Sequence, residues 1–291
     1  GGHSGIDIDA ERGNAIKLLV RVLRDLESRF PLRLAALNGG SARNALPREA
    51  SATLAVPVRD GDALAASLVA WQSLLREELR GVDEALEIDF TAASVEEVMS
   101  PGDQFIWLAS LAAAPHGVRR RSLSVEGVVE TSNNLGMVAI TPSRGGCNFM
   151  VRSLIESGSS ALADEIVALF ALSGTAAEKA GHYPGWTPNP ASPLLALCQS
   201  VYWRQFGAES TVQVIHAGLE CGLIAARYPG LDMVSFGPTI RGAHAPGERV
   251  EIASVERAWQ LLTAILAAIG AGGASEASDD VLRVRVAESM A

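Results

Sequence analysis

The sequence predicts an α/β fold in two domains, an α+β domain of split-βαβ type followed by a domain in which strands and helices alternate. Three observations predict it. The chain up to residue 90 has a β-α-β-β-α-β order, the segment "HYPGWTPNPASP" (182–193) concentrates Pro, Gly and aromatic residues, and strand and helix patterns alternate beyond that segment. A split-βαβ unit folds as one sheet with helices on a face, whereas regular alternation of strands and helices is typical of parallel sheets.

The first domain begins with an amphipathic helix over Asp9–Leu26, where apolar side chains recur at three- and four-residue steps and Asp9 is the predicted cap. Strands follow at "LRLAAL" and "SATLAVPV". A helix over 60–80 then leads to a strand at "ALEIDF" (85–90). A second, weaker copy of the pattern comes after it, with helices near 102–113 and over Ser160–Leu172 around the strands "EGVVETSNNLGMVAIT" and "CNFMVRSLI". The first domain therefore allows two repeats of one unit.

The second domain opens with Ser192 and Pro193, which suit the cap and first turn of a helix running to Phe206. Further elements are predicted as a strand at "TVQVI" (211–215), a short helix over Gly218–Arg227, a strand at "DMVSF" (232–236) and a last helix from Ser254 to Ile269. This alternation predicts a parallel sheet. The small and polar residues 271–291 predict a tail of little fixed structure.

Composition excludes several classes of partner. The formal net charge of −9 opposes binding to phosphate backbones, so no nucleic acid is expected. No uninterrupted apolar run reaches the length of a membrane span, so no membrane partner is expected either. The 3 cysteines are odd in number and widely spaced, which favours reduced thiols and a cytoplasmic protein.

Two loops that follow predicted strands carry candidate functional side chains, because the carboxyl ends of strands gather the active sites of open α/β sheets. The loop "HAGLECG" (216–222) contains His216 and Glu220, and the loop "GPTIRGAHAPGE" (237–248) contains His244. His244 is either a metal ligand or a loop histidine bonded to backbone. A structural role suits His216 better, and Glu220 is equally well explained as a helix-start carboxylate or as a functional group.

Polar side chains that border strands supply the other candidates in the first domain. They are His3 in "GGHSG", Asn44 in "GGSARNALP", Asn134 in "TSNNLG" and Arg152 in "MVRSL". Arg152 is either a solvated arginine or a planar fork that holds a substrate carboxylate through two hydrogen bonds.

A set of motifs in one order carries a resemblance to a known family. The motifs are "GGHSGIDI", "RGNAIKLLVR", "NGGSARNALPREA", "GVVETSNNLG", "RSLIESG", "YPGW", "VIHAGLECGL", "DMVSFGPTIRGAH" and "VERAWQLLT". Together they resemble the bacterial cytosolic non-specific dipeptidases, or aminoacyl-histidine dipeptidases. These belong to the carnosine-cleaving branch of the co-catalytic zinc peptidases. The likeness runs from Gly1 to about residue 270.

The resemblance implies a lid domain over residues 1–186, which clasps the substrate and dimerises, the C-terminal part of a zinc-peptidase α/β catalytic domain over 187–270, and a tail over 271–291. It implies that His244 is a metal ligand and that His3 polarises the scissile carbonyl. It also implies substrate contacts for Asn44 and Asn134, and a contact between Arg152 and the terminal carboxylate. Glu220 lies in the loop that faces the substrate, where its charge suits a free amino group.

The function implied is metal-dependent hydrolysis of dipeptides, of Xaa-His type with broad specificity, using two zinc ions, or manganese or cobalt in their place. The chain is expected to lack the N-terminal metal-binding half of such an enzyme and to be inactive alone. The expected partners are a dipeptide and a second copy bound through the lid. Two alternatives stay open: a non-catalytic lid and dimerisation module, and a related zinc amidohydrolase that acts on N-acylated amino acids.

Overall fold

The computed structural model describes residues 1–214, 219–241 and 247–272. These residues divide into two compact units. The first holds 1–121 and 129–182, and the second holds 122–128 with the described residues from 183 onward.

The first unit contains seven strands and four α-helices. In chain order they are β1 (Gly2–His3), α1 (Ala15–Arg29), β2 (Arg33–Gly39), β3 (Ala45–Leu46), β4 (Ala50–Ala55), α2 (Gly61–Glu78), α3 (Pro101–Ala113), β5 (Gly117–Arg121), β6 (Val129–Ile140), β7 (Gly145–Ser153) and α4 (Glu156–Leu172). Four of the five strands predicted for this domain and all four of its predicted helices are formed, with β1, β3 and β5 as additional short strands.

The 12-residue strand β6 is the centre of a five-stranded sheet. The sheet runs β4-β2-β6-β5, β7 also pairs with β6, and every one of these pairings is antiparallel. β1 and β3 form a separate antiparallel pair, in which His3 lies opposite Ala45. The antiparallel order suits short connections, since adjacent antiparallel strands can be joined by tight turns.

Helix α1 begins six residues later than predicted, and its cap is Asn14 rather than Asp9. The Asn14 side chain accepts hydrogen bonds from the backbone N–H groups of Ile16 (3.0 Å) and Lys17 (3.2 Å). The predicted cap was wrong because several uncapped turn residues precede the helix, and any Asp or Asn there fits the pattern equally well. The apolar face of α1 packs into a core with β2, β6 and α3, whose fully buried members include Ile16, Leu23, Leu34, Leu111 and Leu135.

The predicted strand at 85–90 is wrong, since these residues form no strand. Two of their backbone groups bond to side chains of α2 instead. Arg76 Nε donates to the carbonyl oxygen of Leu86 (2.6 Å), and the N–H of Ile88 donates to Gln72 Oε1 (2.7 Å). Leu86 and Ile88 pack on the core between α1 and α2. The alternation of apolar residues therefore predicts correctly which side chains of this segment pack on the core, but it does not predict the conformation of the backbone.

The second unit is mainly helical in its described part. Its elements are α5 (Pro193–Phe206), α6 (Glu220–Arg227), β8 (Ile240–Arg241), β9 (Arg249–Val250) and α7 (Ile252–Gly270). The prediction for α5 is confirmed, since Ser192 Oγ accepts from the N–H of Leu195 (2.9 Å) and Gly207 closes the helix at φ +64°. Helix α7 begins at Ile252, two residues before the predicted Ser254.

The predicted strands at 211–215 and 232–236 are wrong for the residues described, which are 211–214 and 232–236. An extended segment becomes a strand only when a neighbouring segment pairs with its backbone groups. None of the residues described pairs with these two segments, so the parallel sheet predicted for this unit is not formed there.

Helix α7 exposes most of its apolar side chains. Ile265 is buried against α5, whereas Ile252, Trp259 and Leu266 are 85%, 65% and 59% exposed. By length and composition this 19-residue helix is long and apolar enough to span a membrane, a property shared by core helices of soluble proteins. The expectation of no membrane partner therefore stays a prediction. Of the predicted tail, only residues 271 and 272 are described.

Candidate functional site

Strand β6 carries an unusual run of buried polar residues, from Glu130 to Asn134. Burying a polar group without a partner is costly, so such a run is expected only where hydrogen bonds hold it. Thr131 Oγ1 lies 2.8 Å from Ser153 Oγ, and Asn133 Nδ2 donates to the carbonyl oxygen of Pro115 (2.6 Å). The run places buried hydrogen-bonding groups on both faces of the central strand.

Asn134 fastens the loop before β3 to this strand. Its Nδ2 donates to the carbonyl oxygens of Arg43 (3.0 Å) and Ala45 (2.8 Å). The residue is 1% exposed, and its Oδ1 has no hydrogen-bond partner within the part of the chain that the structure describes. Because this atom is buried, an N–H group of a ligand would reach it only if the loop that Asn134 holds moved aside.

His3 and Asn44 lie next to each other through the β1–β3 pair. The N–H of Ser4 donates to the carbonyl oxygen of Asn44 (2.8 Å), while His3 Nδ1 accepts from the N–H of Gly5 (3.2 Å). The N–H of His3 donates to Asp7 Oδ2 (2.7 Å). His3 is half-buried and Asn44 is exposed.

Arg152, in β7, contacts Ser4 and so lies in the same region as His3 and Asn44. Its Nε donates to Ser4 Oγ (3.3 Å), and the residue lies opposite Ser132 in the β6–β7 register. Burial, together with the nearby charge of Arg43, lowers the pKa of the Arg152 guanidinium. Neither arginine forms an ion pair within the described ranges.

Arg43 is a residue that the sequence prediction missed. The backbone at Arg43 is packed against Gly136, where an added Cβ would lie 2.8 Å from Arg43 Cα. Gly40 faces the same glycine, because a Cβ at Gly40 would stand 1.9 Å from the Gly136 carbonyl oxygen. The position of Arg43 beside Asn44 in "SARNA" was the available signal.

The structure therefore brings four of the six predicted site residues into one region of the first unit: His3, Asn44, Asn134 and Arg152. Glu220 is in the second unit, exposed, as the first residue of α6. Its place at a helix start agrees with the dipole explanation. His244 and His216 lie outside the described residues.

The described residues do not form a metal site. Within 1–214, 219–241 and 247–272, no three His, Cys, Asp or Glu side chains are grouped so as to hold an ion. Cys147, Cys198 and Cys221 are free, and burial raises the pKa of the Cys147 thiol to about 12 and also raises that of Cys198. Such thiols are protonated near neutrality and are poor metal ligands.

His116 is a second residue that the sequence prediction missed. Its Nδ1 lies 3.3 Å from Asn14 Nδ2 and 3.4 Å from the N–H of Leu135. Burial, with a smaller effect of the Lys17 charge, lowers its pKa to about 4. Its imidazole is therefore neutral at physiological pH, and it lines a cavity of about 310 Å³ with Arg12 and Arg121.

Comparisons with known proteins show which proteins this chain resembles. Residues 1–83 match the peptidase dimerisation domain of the M20 family. The matched residues hold β1 to α2 of the first unit, so this part of the unit is similar to a peptidase dimerisation domain. The cytosol non-specific dipeptidase of Escherichia coli strain K12 is 44% identical over 274 residues, which is 93% of this chain and 56% of that protein. The chain is therefore similar to a dipeptidase over nearly all of its length, and to an M20 peptidase domain over its first 83 residues.

A solved structure gives the same relationship. The crystal structure of aminoacylhistidine dipeptidase from Vibrio alginolyticus matches with a TM-score of 0.84 at 42% identity. The match covers 92% of this chain and 55% of that one. The chain thus spans about half the length of the dipeptidases that it matches.

Proposed function

We propose that these residues form the lid and the C-terminal part of the catalytic domain of a cytoplasmic, metal-dependent dipeptidase. The observation that carries the proposal is Arg152, a half-buried guanidinium held at Ser4 with no ion pair in the described ranges. A partly desolvated guanidinium is a good partner for a carboxylate, which it binds through two parallel hydrogen bonds. A dipeptide presents such a carboxylate at its C-terminus.

The side chains around Arg152 suit the rest of a short peptide. The unpartnered Oδ1 of Asn134 would accept from a peptide N–H if the loop that Asn134 holds moved aside, and Asn44 lies at the exposed edge of the same region. His3, beside Ser4, would stabilise negative charge on the scissile carbonyl oxygen. Holding both ends of a peptide restricts the site to short substrates of Xaa-His and related types.

Two further assignments are part of the proposal. His244 would be a ligand to zinc, or to manganese or cobalt, and Glu220 would receive the free amino group. Since the described residues lack a metal cluster, the remaining ligands would come from residues outside them. A bound metal would supply a nucleophilic hydroxide and polarise the carbonyl. The described residues themselves contribute binding and orientation.

A binding assay tests the proposal with the 291-residue chain. We expect β-alanyl-histidine to bind in isothermal titration calorimetry, and the Arg152→Gln variant to bind it at least tenfold more weakly, since about 1.4 kcal/mol corresponds to a factor of ten. Arg144→Gln, a change in the exposed β6–β7 turn, is the charge-matched control. Affinity unchanged by Arg152→Gln would contradict the proposed carboxylate site. Turnover by this chain with added zinc would contradict the expectation that it is inactive alone.

Dimerisation is a second candidate role, favoured by the match of residues 1–83 to a peptidase dimerisation domain. Analytical ultracentrifugation is expected to show a homodimer that persists without metal. The amidohydrolase alternative predicts tighter binding of N-acetylated amino acids than of free dipeptides, so the same calorimetric assay distinguishes it.

A further inference from the structure

Arg43 is placed beside the proposed carboxylate site by contacts of its backbone. Its carbonyl oxygen accepts from Asn134 Nδ2 (3.0 Å), and its Cα packs on Gly136. The next residue, Asn44, accepts from the N–H of Ser4, and Ser4 Oγ accepts from Arg152 Nε. Two short chains of contacts therefore connect Arg43 to the surface from which Arg152 projects.

The contacts through Asn44 and Ser4 bring the segments of Arg43 and Arg152 together, so the two positive charges are expected to repel each other. The charge of Arg43 is one of the two causes that lower the pKa of Arg152. No ion pair with either arginine is formed within 1–214, 219–241 and 247–272. The Arg43 guanidinium lies over Gly181, whose added Cβ would be 3.4 Å from Nη1. Gly181 has φ +65°, a conformation that glycine adopts readily. Because glycine has no side chain, the Arg43 guanidinium is not covered by one at this position.

One carboxylate does not neutralise two arginines. If Arg152 binds the terminal carboxylate through its two parallel N–H groups, the charge of Arg43 stays uncompensated. A ligand with a second carboxylate would remove this repulsion and gain a charge-assisted hydrogen bond. The C-terminal residues that supply one are aspartate and glutamate.

We propose that Arg43 is a specificity-determining residue that binds a side-chain carboxylate, so that the site prefers dipeptides with an acidic C-terminal residue over their amide counterparts. This inference rests on the proposed function, because it needs the terminal carboxylate at Arg152. It adds a substrate class within the broad specificity proposed above.

Calorimetry with β-alanyl-aspartate and β-alanyl-asparagine tests the inference, because these two probes differ by one charge at nearly equal size. The 291-residue chain is expected to bind the aspartate peptide about five- to tenfold more tightly, as suits an ion pair that is partly exposed. Arg43→Gln should bring this ratio close to one, and Arg43→Lys should retain part of it. Arg152→Gln should weaken the binding of both peptides, and Arg144→Gln should leave the ratio unchanged.

The outcomes separate the two proposals. A ratio that Arg43→Gln does not alter would overturn the role of Arg43 while leaving Arg152 in place. Unchanged affinity for both peptides in Arg152→Gln would overturn the carboxylate site and the inference together, as would a wild-type chain that binds neither peptide. Circular dichroism of each variant verifies that it is folded. The wild-type preference should also shrink in high salt, because salt screens an exposed ion pair.

Discussion

At the scale of single residues, Asn14 connects three parts of the first unit through one amide. Its Oδ1 caps α1, and its Nδ2 donates to the carbonyl oxygen of Leu135 in β6 (2.9 Å). The same Nδ2 lies beside His116. The side chain thereby fixes where the helix starts and how that start meets the sheet.

Replacing Asn14 by alanine is expected to lower the free energy of unfolding by about 2 kcal/mol. The loss of a cap costs roughly 1 kcal/mol, and a buried carbonyl left without its donor costs a similar amount. Urea unfolding followed by circular dichroism measures the change. Asp9→Ala is the control: Asp9 pairs with Arg121 at the surface (3.4 Å), so we expect less than about 0.5 kcal/mol. Equal losses in the two variants would contradict the assignment of the cap.

His116 predicts a dependence of stability on pH. Its pKa is about 4 in the folded chain and near its ordinary value of 6.5 when unfolded. Between these values the unfolded chain binds the extra proton, so stability falls as pH decreases from about 6.5 to about 4. The loss attributable to this residue is of the order of 2 to 3 kcal/mol.

Urea unfolding at several pH values measures this effect. His116→Asn keeps an acceptor near the position of Nδ1 but cannot take up a proton, so its profile should be flatter than that of the wild type over the same range. Parallel profiles for the two proteins would show that His116 is not responsible.

At the scale of elements, α5 has a double cap. Ser192 Oγ accepts from the N–H of Leu195 and donates to Asp232 Oδ1 (2.7 Å). Asp232 Oδ2 accepts from the N–H of Leu194 (3.0 Å). The predicted strand "DMVSF" therefore begins with a residue whose carboxylate belongs to a helix start, where a negative charge is favourable.

Asp232→Ala is expected to accelerate hydrogen exchange at the amides of Leu194 and Leu195, with a loss of about 1 to 2 kcal/mol in local stability. Exchange measured by mass spectrometry or NMR checks this at the level of single helices. Glu209→Ala, a change at an exposed residue after α5, should leave these amides unaffected. Unaltered exchange in Asp232→Ala would show that Ser192 caps the helix alone.

The sequence was informative about helices and less so about strands. The predicted helices all exist, because a period of 3.6 residues and a cap are local signals, although four of the seven start two to six residues from the predicted position. Three predicted strands, at 85–90, 211–215 and 232–236, are not formed within the described residues. Strand formation depends on a partner that is distant in sequence, and no local pattern contains that information.

The candidate site was predictable only where its residues have a local signal in the sequence. His3, Asn44, Asn134 and Arg152 are polar residues beside strands, and motif order was enough to select them. Arg43 and His116 were missed because their environments arise only when β3, β5 and β6 come together. The local sequence of His116 resembles that of any exposed histidine, and the signal for Arg43 was only its position next to Asn44.

At the scale of the whole molecule, the exposed apolar side of α7 predicts self-association. Ile252, Trp259 and Leu266 recur every seven residues and are 85%, 65% and 59% exposed, so they form a row of apolar side chains of the kind that marks interaction surfaces. The chain should therefore bind a hydrophobic dye and sediment as larger species when its concentration is raised. The double variant Trp259→Lys and Leu266→Lys should reduce both effects while changing the free energy of unfolding by less than about 1 kcal/mol, since neither side chain is buried.

Dye fluorescence and sedimentation velocity give the result. The control is Val69→Lys, which changes an equally exposed apolar residue on α2. If the double variant associates as strongly as the wild type, the apolar side of α7 is not the surface through which the chain self-associates.

Gly40 and Gly136, which face each other, should be two of the most constrained positions in a saturation mutagenesis of this gene. A methyl group at Gly40 would overlap the carbonyl oxygen of Gly136, and one at Gly136 would strike the backbone of Arg43. Both positions should thus be intolerant of every other amino acid, for a steric reason alone. A loss of function at these two positions in such a screen would reflect the close packing of the backbone that supports Arg43. It would not mean that either glycine takes part in the reaction.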